Sequence, residues 1–306
     1  MGRTAQRLEW RFLPAPLRAA IEERCGAAVV GARSQGAGYT PGFASVLDCA
    51  DGSRHFVKAA ARAAQRPIAD AYLEEARKLG SLPESVPTAR LRWLHEDDGW
   101  VALGLQHLAG RAPRRPWVAE ELGRCLDALE QVSRTLTPVP PELELSTVAE
   151  DLGPFASAWE FVASAHPDLP HREEAAALAA DFLHVCGGDT VVHTDVRDDN
   201  VLLGADGEVW LCDWNWLARG APWLDTVFLL LVPWGDGVDV EAIMAERELT
   251  CDLPAAHVDA TLALLTGFFM RQSAEPVPPT SPYLRQHQAW CAEATWGWLS
   301  SRRGWT

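Results

Sequence analysis

One polar run constrains this chain more than any other feature. His193-Thr-Asp195-Val-Arg197-Asp-Asp199-Asn200 is set between two apolar stretches, Thr190–Val192 and Val201–Gly204. Short β-branched runs of that kind read as strands. A dense polar cluster between strands is a loop, and loops on a rigid scaffold carry function disproportionately often. Downstream, Ala205-Asp-Gly-Glu208 signals a tight turn, and Val209–Cys212 reads as a further strand ending at Asp213. A two-residue type I′ turn at Asp206-Gly207 would set Val201 opposite Cys212 and Asn200 opposite Asp213. Opposed residues have Cβ atoms about 5 Å apart. An amide oxygen and a carboxylate at that spacing suit a hard cation such as Mg²⁺. Asp195 is then placed to accept a proton from a hydroxyl beside the cation. Arg197 is placed to stabilise a phosphoryl group in transfer. The bland reading of the same loop is a polar turn capped by its own aspartates, with His193 as a packing residue.

The first half reads as strands with one strong helix. Residues 1–25 form a helical lead-in, and Val29–Val30 begin a strand. A glycine-rich stretch, Gly31 to Gly42, leads to a second strand at Phe43–Leu47. Asp51-Gly52 is a hairpin signal before a third strand, His55–Ala60. Ile68, Tyr72, Glu75 and Leu79 share one face of a helix over 68–79. Trp100–Leu105 is another strand, and 106–110 a connector at a boundary between residues 1–105 and 106–306. The second half is mostly helical, with helices expected over 118–135, 151–165, 172–185, 255–271 and 282–299. The glycines at 36, 38 and 42 match neither a dinucleotide fingerprint nor a P-loop.

Lysine usage adds a clue. The chain has only Lys58 and Lys78, its other basic residues being arginine. Lys58 lies in the third expected strand. Glu75 is on the inward stripe of the helix, whereas Glu74 is one step off it and spaced to pair with Lys78 at the surface.

The pattern His193-x-Asp195-x-x-x-x-Asn200 followed by Asp213 resembles the protein-kinase-like fold. More closely, it is similar to the aminoglycoside phosphotransferase family and its choline, homoserine and related small-molecule kinases. Thr194 stands where protein kinases have Arg, and Asp213-Trp214-Asn215 replaces the DFG tripeptide. Both departures suit the small-molecule branch. Ala221-Pro-Trp-Leu-Asp225 resembles the family's segment ending in a structural Asp. The resemblance spans roughly Ala27 to Asp225. It implies a mixed α/β (α+β), two-lobed fold, with a small antiparallel sheet lobe that binds nucleotide and a larger helical lobe for catalysis and acceptor. It implies ATP and Mg²⁺, with Asp195 as base and Asn200 and Asp213 as metal ligands. Lys58, held by Glu75, would position the phosphates. The stretch holding Ser34, Gly36 and Gly38 would cover them, and Gln106 to Leu108 would read adenine through the backbone.

Composition bounds the acceptor. Residues 1–105 hold 12 acidic and 14 basic residues, and residues 106–306 hold 30 and 13. The halves therefore carry +2 and −17, which favours a small cationic acceptor such as an aminoglycoside over a nucleic acid. Solubility alone is the plainer explanation of the acids. Seven scattered cysteines argue against a disulfide framework or a zinc cluster and suit a reducing cytoplasm. No apolar run reaches the roughly 20 residues that span a bilayer, and Met1–Pro16 does not read as a signal peptide. Tryptophans at 216, 223, 234, 290, 296 and 298 either stack on an acceptor or pack helices. A metabolic kinase for choline, homoserine or a sugar remains an alternative, as does a nucleotide-binding protein without catalysis.

Overall fold

The computed structural model describes residues 6–36, 38 and 40–305. Residues 1–5, at the head of the expected helical lead-in, lie outside the described residues, as do Ala37 and Tyr39 of the glycine-rich stretch. The fold class is the one the resemblance implies, mixed α/β with an antiparallel sheet unit and a mainly helical unit. The first unit comprises the described residues of Met1–Arg111 together with Leu202–Trp216 and Pro278–Pro282. The second holds Ala112–Val201, Leu217–Val277 and the chain from Tyr283. A single cut after residue 105 differs from this division, which counts the hairpin around Gly207 with the first unit.

In the first unit, α1 (Ala15–Cys25) precedes β1 (Val29–Ser34), β2 (Phe43–Cys49), β3 (Arg54–Ala61), α2 (Arg66–Ser81), β4 (Leu91–Glu96) and β5 (Trp100–Gln106). The five strands form one antiparallel sheet in the order β1-β2-β3-β5-β4. Alternation along a strand sends successive side chains to opposite faces. Phe43, Leu47 and Cys49 of β2 and Val57 and Ala59 of β3 share one face. They pack with Leu13, Leu17, Ile21 and Cys25 of the α1 segment. Lys58 lies on the other face, toward α2. A short second sheet in this unit joins β6 (Gly110–Arg111), β8 (Val201–Gly204) and β9 (Val209–Leu211) in the order β6-β8-β9.

Strand β4 escaped the sequence reading because Arg92, His95 and Glu96 blur its alternation. Its Trp93 is buried and fills the space over Gly104 of β5, leaving no room there for a Cβ.

In the second unit the helices are α3 (Ala119–Thr135), α4 (Val148–Leu152), α5 (Ala158–Ala165) and α6 (Arg172–Val185). Next come β7 (Thr190–Val192) and β10 (Ala218–Gly220), paired antiparallel, then α7 (Leu224–Gly235), α8 (Val240–Glu246), α9 (Ala255–Ser273) and α10 (Leu284–Arg303). The single helix expected over 151–165 is instead α4, a 3-10 turn at Gly153–Ser157, and α5. Pro154 explains the break, because its ring removes a donor and crowds the preceding turn. Thr147 and Glu150 form a capping box that starts α4. The expected helices did not include α7. It is buried on nearly every side, so no amphipathic stripe marked it. No described helix is long and apolar enough to cross a membrane.

Candidate active site

The first unit holds a buried ionic cluster. Lys58 is mid-strand in β3, paired with Ala44 and Leu103. Its Nζ donates to Glu75 Oε1 at 2.8 Å, to Glu75 Oε2 at 2.7 Å and to Asp213 Oδ1 at 2.7 Å. Glu75 is 1% exposed and Lys58 8%. Burial alone would push Lys58 down, but Asp213 and Glu75 outweigh it and hold the ammonium above the ordinary lysine range. Burying charge is expensive, and it is tolerated here because the cation is fully ligated. Glu74 turns away to Arg77, accepting from its Nε at 2.9 Å.

Asp213 has φ of 69°, in the left-handed region. That conformation costs roughly 1–2 kcal/mol for a residue with a Cβ, least for Asp and Asn. The bond from Lys58 holds it there. The expected surface pair of Lys78 with Glu74 needs correction. The contact exists, at 3.3 Å, but Lys78 is only 6% exposed. Its Nζ donates to the Asn215 carbonyl at 2.7 Å. Both lysines of the chain therefore grip the segment 213–215, a role that the shortage of lysine alone had hinted at.

The turn between β8 and β9 also differs from expectation. Gly204 N donates to Glu208 O at 2.8 Å, and Gly207 has φ of 98° while Asp206 has no positive φ. This is a three-residue loop of the type I plus bulge kind, not the type I′ turn. Asp-Gly serves both. The register that set Asn200 opposite Asp213 rested on a two-residue turn and falls with it.

The second unit holds the polar loop. After β7, His193 is buried, and its backbone N donates to Asp225 Oδ2 at 2.7 Å. Thr194 N donates to Asp225 Oδ1 at 3.0 Å, and Thr194 has φ of 63°. Burial pushes the Asp225 carboxyl up, against the pull of His193 and these two amides. Asp225 at the start of α7 thus fixes the loop's entry. Asn200 Nδ2 donates to Asp195 O at 2.9 Å and to Asp195 Oδ2 at 3.0 Å. Arg197 Nε lies 3.4 Å from Asp195 Oδ1 and 3.1 Å from Asp199 Oδ1.

Around the loop stand residues that the sequence had not singled out. Arg115 forks onto Asp236 at 2.7 and 2.8 Å and reaches Asp198 at 3.4 Å. Burial and the neighbouring Asp199 push the Asp198 carboxyl up against Arg115. These partners lie far apart in sequence and left no local signal. Burial, then Arg197, depress His287 on α10 to about 4.

His287 gives a pH signature. The folded chain keeps it neutral where the unfolded chain protonates it, near pH 6.5. A depressed folded pKa contributes stability above the unfolded pKa that is lost as pH falls through 6.5 toward 4. Between pH 7 and pH 5 this group alone costs about 2 kcal/mol, while the buried Glu75 carboxyl, itself pushed up to about 7 by burial, works in the opposite sense. The readout is therefore a difference: in denaturant titrations His287→Gln should lack that loss relative to the parent chain, and identical pH slopes for the two would remove His287 from the pH dependence.

The structure thus gathers Lys58, Glu75 and Asp213 in the first unit and Asp195, Arg197 and Asn200 in the second. Ser34 ends β1 opposite Ser45, and Gly36 and Gly38 lie in the connection to β2, with Gly38 at φ of 82°. Gln106 ends β5, where its N donates to Arg90 O at 2.8 Å, and Leu108 lies between β5 and β6.

The model of the phosphotransferase enzyme family matches residues 46–260, more than half of the chain. The chain belongs to that family. As a member it is a phosphotransferase. Among solved structures, it is similar to an aminoglycoside phosphotransferase from Alicyclobacillus acidocaldarius. The TM-score is 0.59 at 15% identity, covering 90% of this chain and 92% of the other. It is also similar to a spectinomycin phosphotransferase, with TM-score 0.61 at 11% identity, covering 92% and 97%. A choline kinase from Streptococcus pneumoniae gives TM-score 0.59 at 11% identity, covering 92% and 100%. No curated protein matches the chain.

Proposed function

We propose that this phosphotransferase moves the γ-phosphoryl group of ATP, taken as its Mg²⁺ complex, to a hydroxyl of a small cationic acceptor, an aminoglycoside being the leading class. The observation that carries the reading is the Asp195 carboxylate. It is partly exposed, held by Asn200 and Arg197, and stands in a loop whose path Asp225 sets. Asp195 then orients the acceptor hydroxyl and takes its proton, and Arg197 counters charge on the phosphoryl oxygens.

The donors fit a magnesium nucleotide. Asn200 has its amide nitrogen committed to Asp195, which leaves the amide oxygen as its hard donor. Asp213 offers a carboxylate, also a hard donor. These are the residues that would hold Mg²⁺, which neutralises phosphate charge when bound. Lys58 stays fixed by Glu75, and the donor it gives Asp213 would turn to the phosphates once Asp213 takes the metal. The strand connection with Ser34, Gly36 and Gly38 covers them, and the backbone of Gln106 to Leu108 binds the adenine.

The acceptor's charge is argued from the distribution of acids. Residues 106–306 carry −17, and the loop itself presents Asp195, Asp198 and Asp199. Negative potential concentrates cations. The test is ATP consumption across aminoglycosides, amino alcohols, sugars and nucleosides. Turnover is expected with an amine-bearing acceptor. Its KM should rise with added salt more steeply than that for ATP, since the screening length is about 8 Å at 0.15 M. A screen that returns only neutral or anionic acceptors, with KM independent of salt, would overturn the electrostatic part.

A second prediction isolates the metal. Asp213→Ala should lower ATP affinity in the presence of Mg²⁺ and change metal-free nucleotide binding little. Calorimetry with and without Mg²⁺ reads this directly. Equal losses in both conditions would make Asp213 a structural residue.

A further inference from the structure

The face of the five-stranded sheet opposite Lys58 carries a group of residues that phosphoryl transfer does not use. Cys25 is the last residue of α1, before Gly26 turns the chain at φ of 81°. Cys49 is the last residue of β2, and His55 the second of β3. Leu47 pairs with His55, so Cys49 and His55 are diagonal neighbours on the face that α1 covers. One ligand atom from each of Cys25, Cys49 and His55 lies within 4.8 Å of the other two. Both cysteines are free and buried, and His55 is half-buried.

We propose that Cys25, Cys49 and His55 form a Zn²⁺ site that ties the end of α1 to the β2–β3 hairpin. Two thiolates and an imidazole are the donor set that zinc prefers, and they are too soft for Mg²⁺ or Ca²⁺. Tetrahedral zinc with Zn–S of about 2.3 Å and Zn–N of about 2.0 Å sets its ligands about 3.5–3.8 Å apart. Each pair of atoms needs to close by no more than about 1.3 Å to meet that geometry. The imidazole is already oriented. Ser53 Oγ lies 3.2 Å from His55 Nε2, and Asp51 Oδ1 accepts from Ser53 Oγ at 2.7 Å and from Ser53 N at 2.9 Å. Such a chain from ring to hydroxyl to carboxylate is how proteins fix a metal-binding histidine. The fourth position falls to solvent or to Asp51. That residue is exposed, and its charge acts on both Cys25 and His55. The exposed turn at 51–53 provides the entry path. Binding passes the thiol protons to solvent.

The sequence reading argued against a zinc cluster because no two cysteines are close in the chain. The fold assembles one from a helix end, a strand end and the next strand.

The test uses the full chain, purified under a non-chelating reductant and stripped with a chelator. Zn²⁺ is titrated against a chromophoric indicator, and Co²⁺ is followed at its thiolate charge-transfer band. About one zinc per chain and a cobalt–thiolate band are expected, with a melting temperature a few degrees higher with zinc than without. Cys25→Ser, Cys49→Ser and His55→Asn should each weaken zinc by at least about 100-fold, the upper end of what outer-shell changes cost. Cys251→Ser, an exposed cysteine elsewhere, should leave zinc binding unchanged. His55→Asn keeps the proposal testable if a buried serine impairs folding. Failure to bind zinc, a cobalt spectrum without the thiolate band, or binding unmoved by the three substitutions would each overturn it. All of these outcomes are independent of ATP turnover.

Discussion

Asp195→Asn is expected to lower turnover by about 10²–10⁴-fold, the usual worth of a general base. That factor corresponds to roughly 3–5 kcal/mol of barrier. The substitution isolates the proton-accepting role because it changes little else. An asparagine oxygen can still accept from Asn200 Nδ2, so the loop keeps its internal bond. Arg197 loses one neighbour and keeps Asp199. Binding of ATP should survive, since the nucleotide contacts proposed above lie on other residues. Turnover on the true acceptor should therefore collapse while nucleotide affinity, read by calorimetry, stays. Full turnover in the variant would remove Asp195 from the chemistry, and joint loss of both would mean that the loop itself had been disturbed.

Lys58→Met should destabilise the fold by about 3–5 kcal/mol, the cost of leaving a buried partner charge without its counter-ion. Glu75 is 1% exposed and the Lys58 ammonium is its bidentate donor. Without that cation, burial and Asp213 both push the Glu75 carboxyl upward. A carboxyl with a raised folded pKa is penalised at high pH and relieved as pH falls toward its unfolded value. The defect should therefore shrink between pH 8 and pH 5. Adding Glu75→Leu should restore much of the loss without restoring ATP binding. Denaturant midpoints at the two pH values, with nucleotide binding measured alongside, separate the two effects. An unfolding curve that matches the parent chain would show that the cluster contributes nothing to stability.

Most of this arrangement is local enough to read from the chain. The stripe Ile68, Tyr72, Glu75, Leu79 orients one glutamate inward, and the helix places it there. The run from His193 to Asn200 lies between strands, as its flanks require. What escaped depends on partners distant in sequence or on chemistry with two solutions. Asp-Gly at 206–207 fits a two-residue turn and a three-residue bulged one equally, and only strand twist and neighbours choose. Lys78 looks like half of an exposed i, i+4 pair until the Asn215 carbonyl, 137 residues on, covers it. Arg115 and Asp236 are 121 residues apart. Charged side chains hid β4, and uniform apolarity hid α7, because periodicity needs contrast between faces.

The lysine economy described above has an experimental consequence. In the folded chain the only side-chain amines are two buried groups bonded to the same three-residue segment. An amine-acylating reagent consequently finds no lysine on the surface. It can modify Lys58 or Lys78 only when β3, α2 and residues 213–215 part, so the acylation rate measures how often that seam opens. Because acylation removes the ammonium charge, each opening captured at Lys58 would strand Glu75 and lock the seam apart. Protection by nucleotide would then appear as a slower covalent clock at one lysine, read site by site from a single digest.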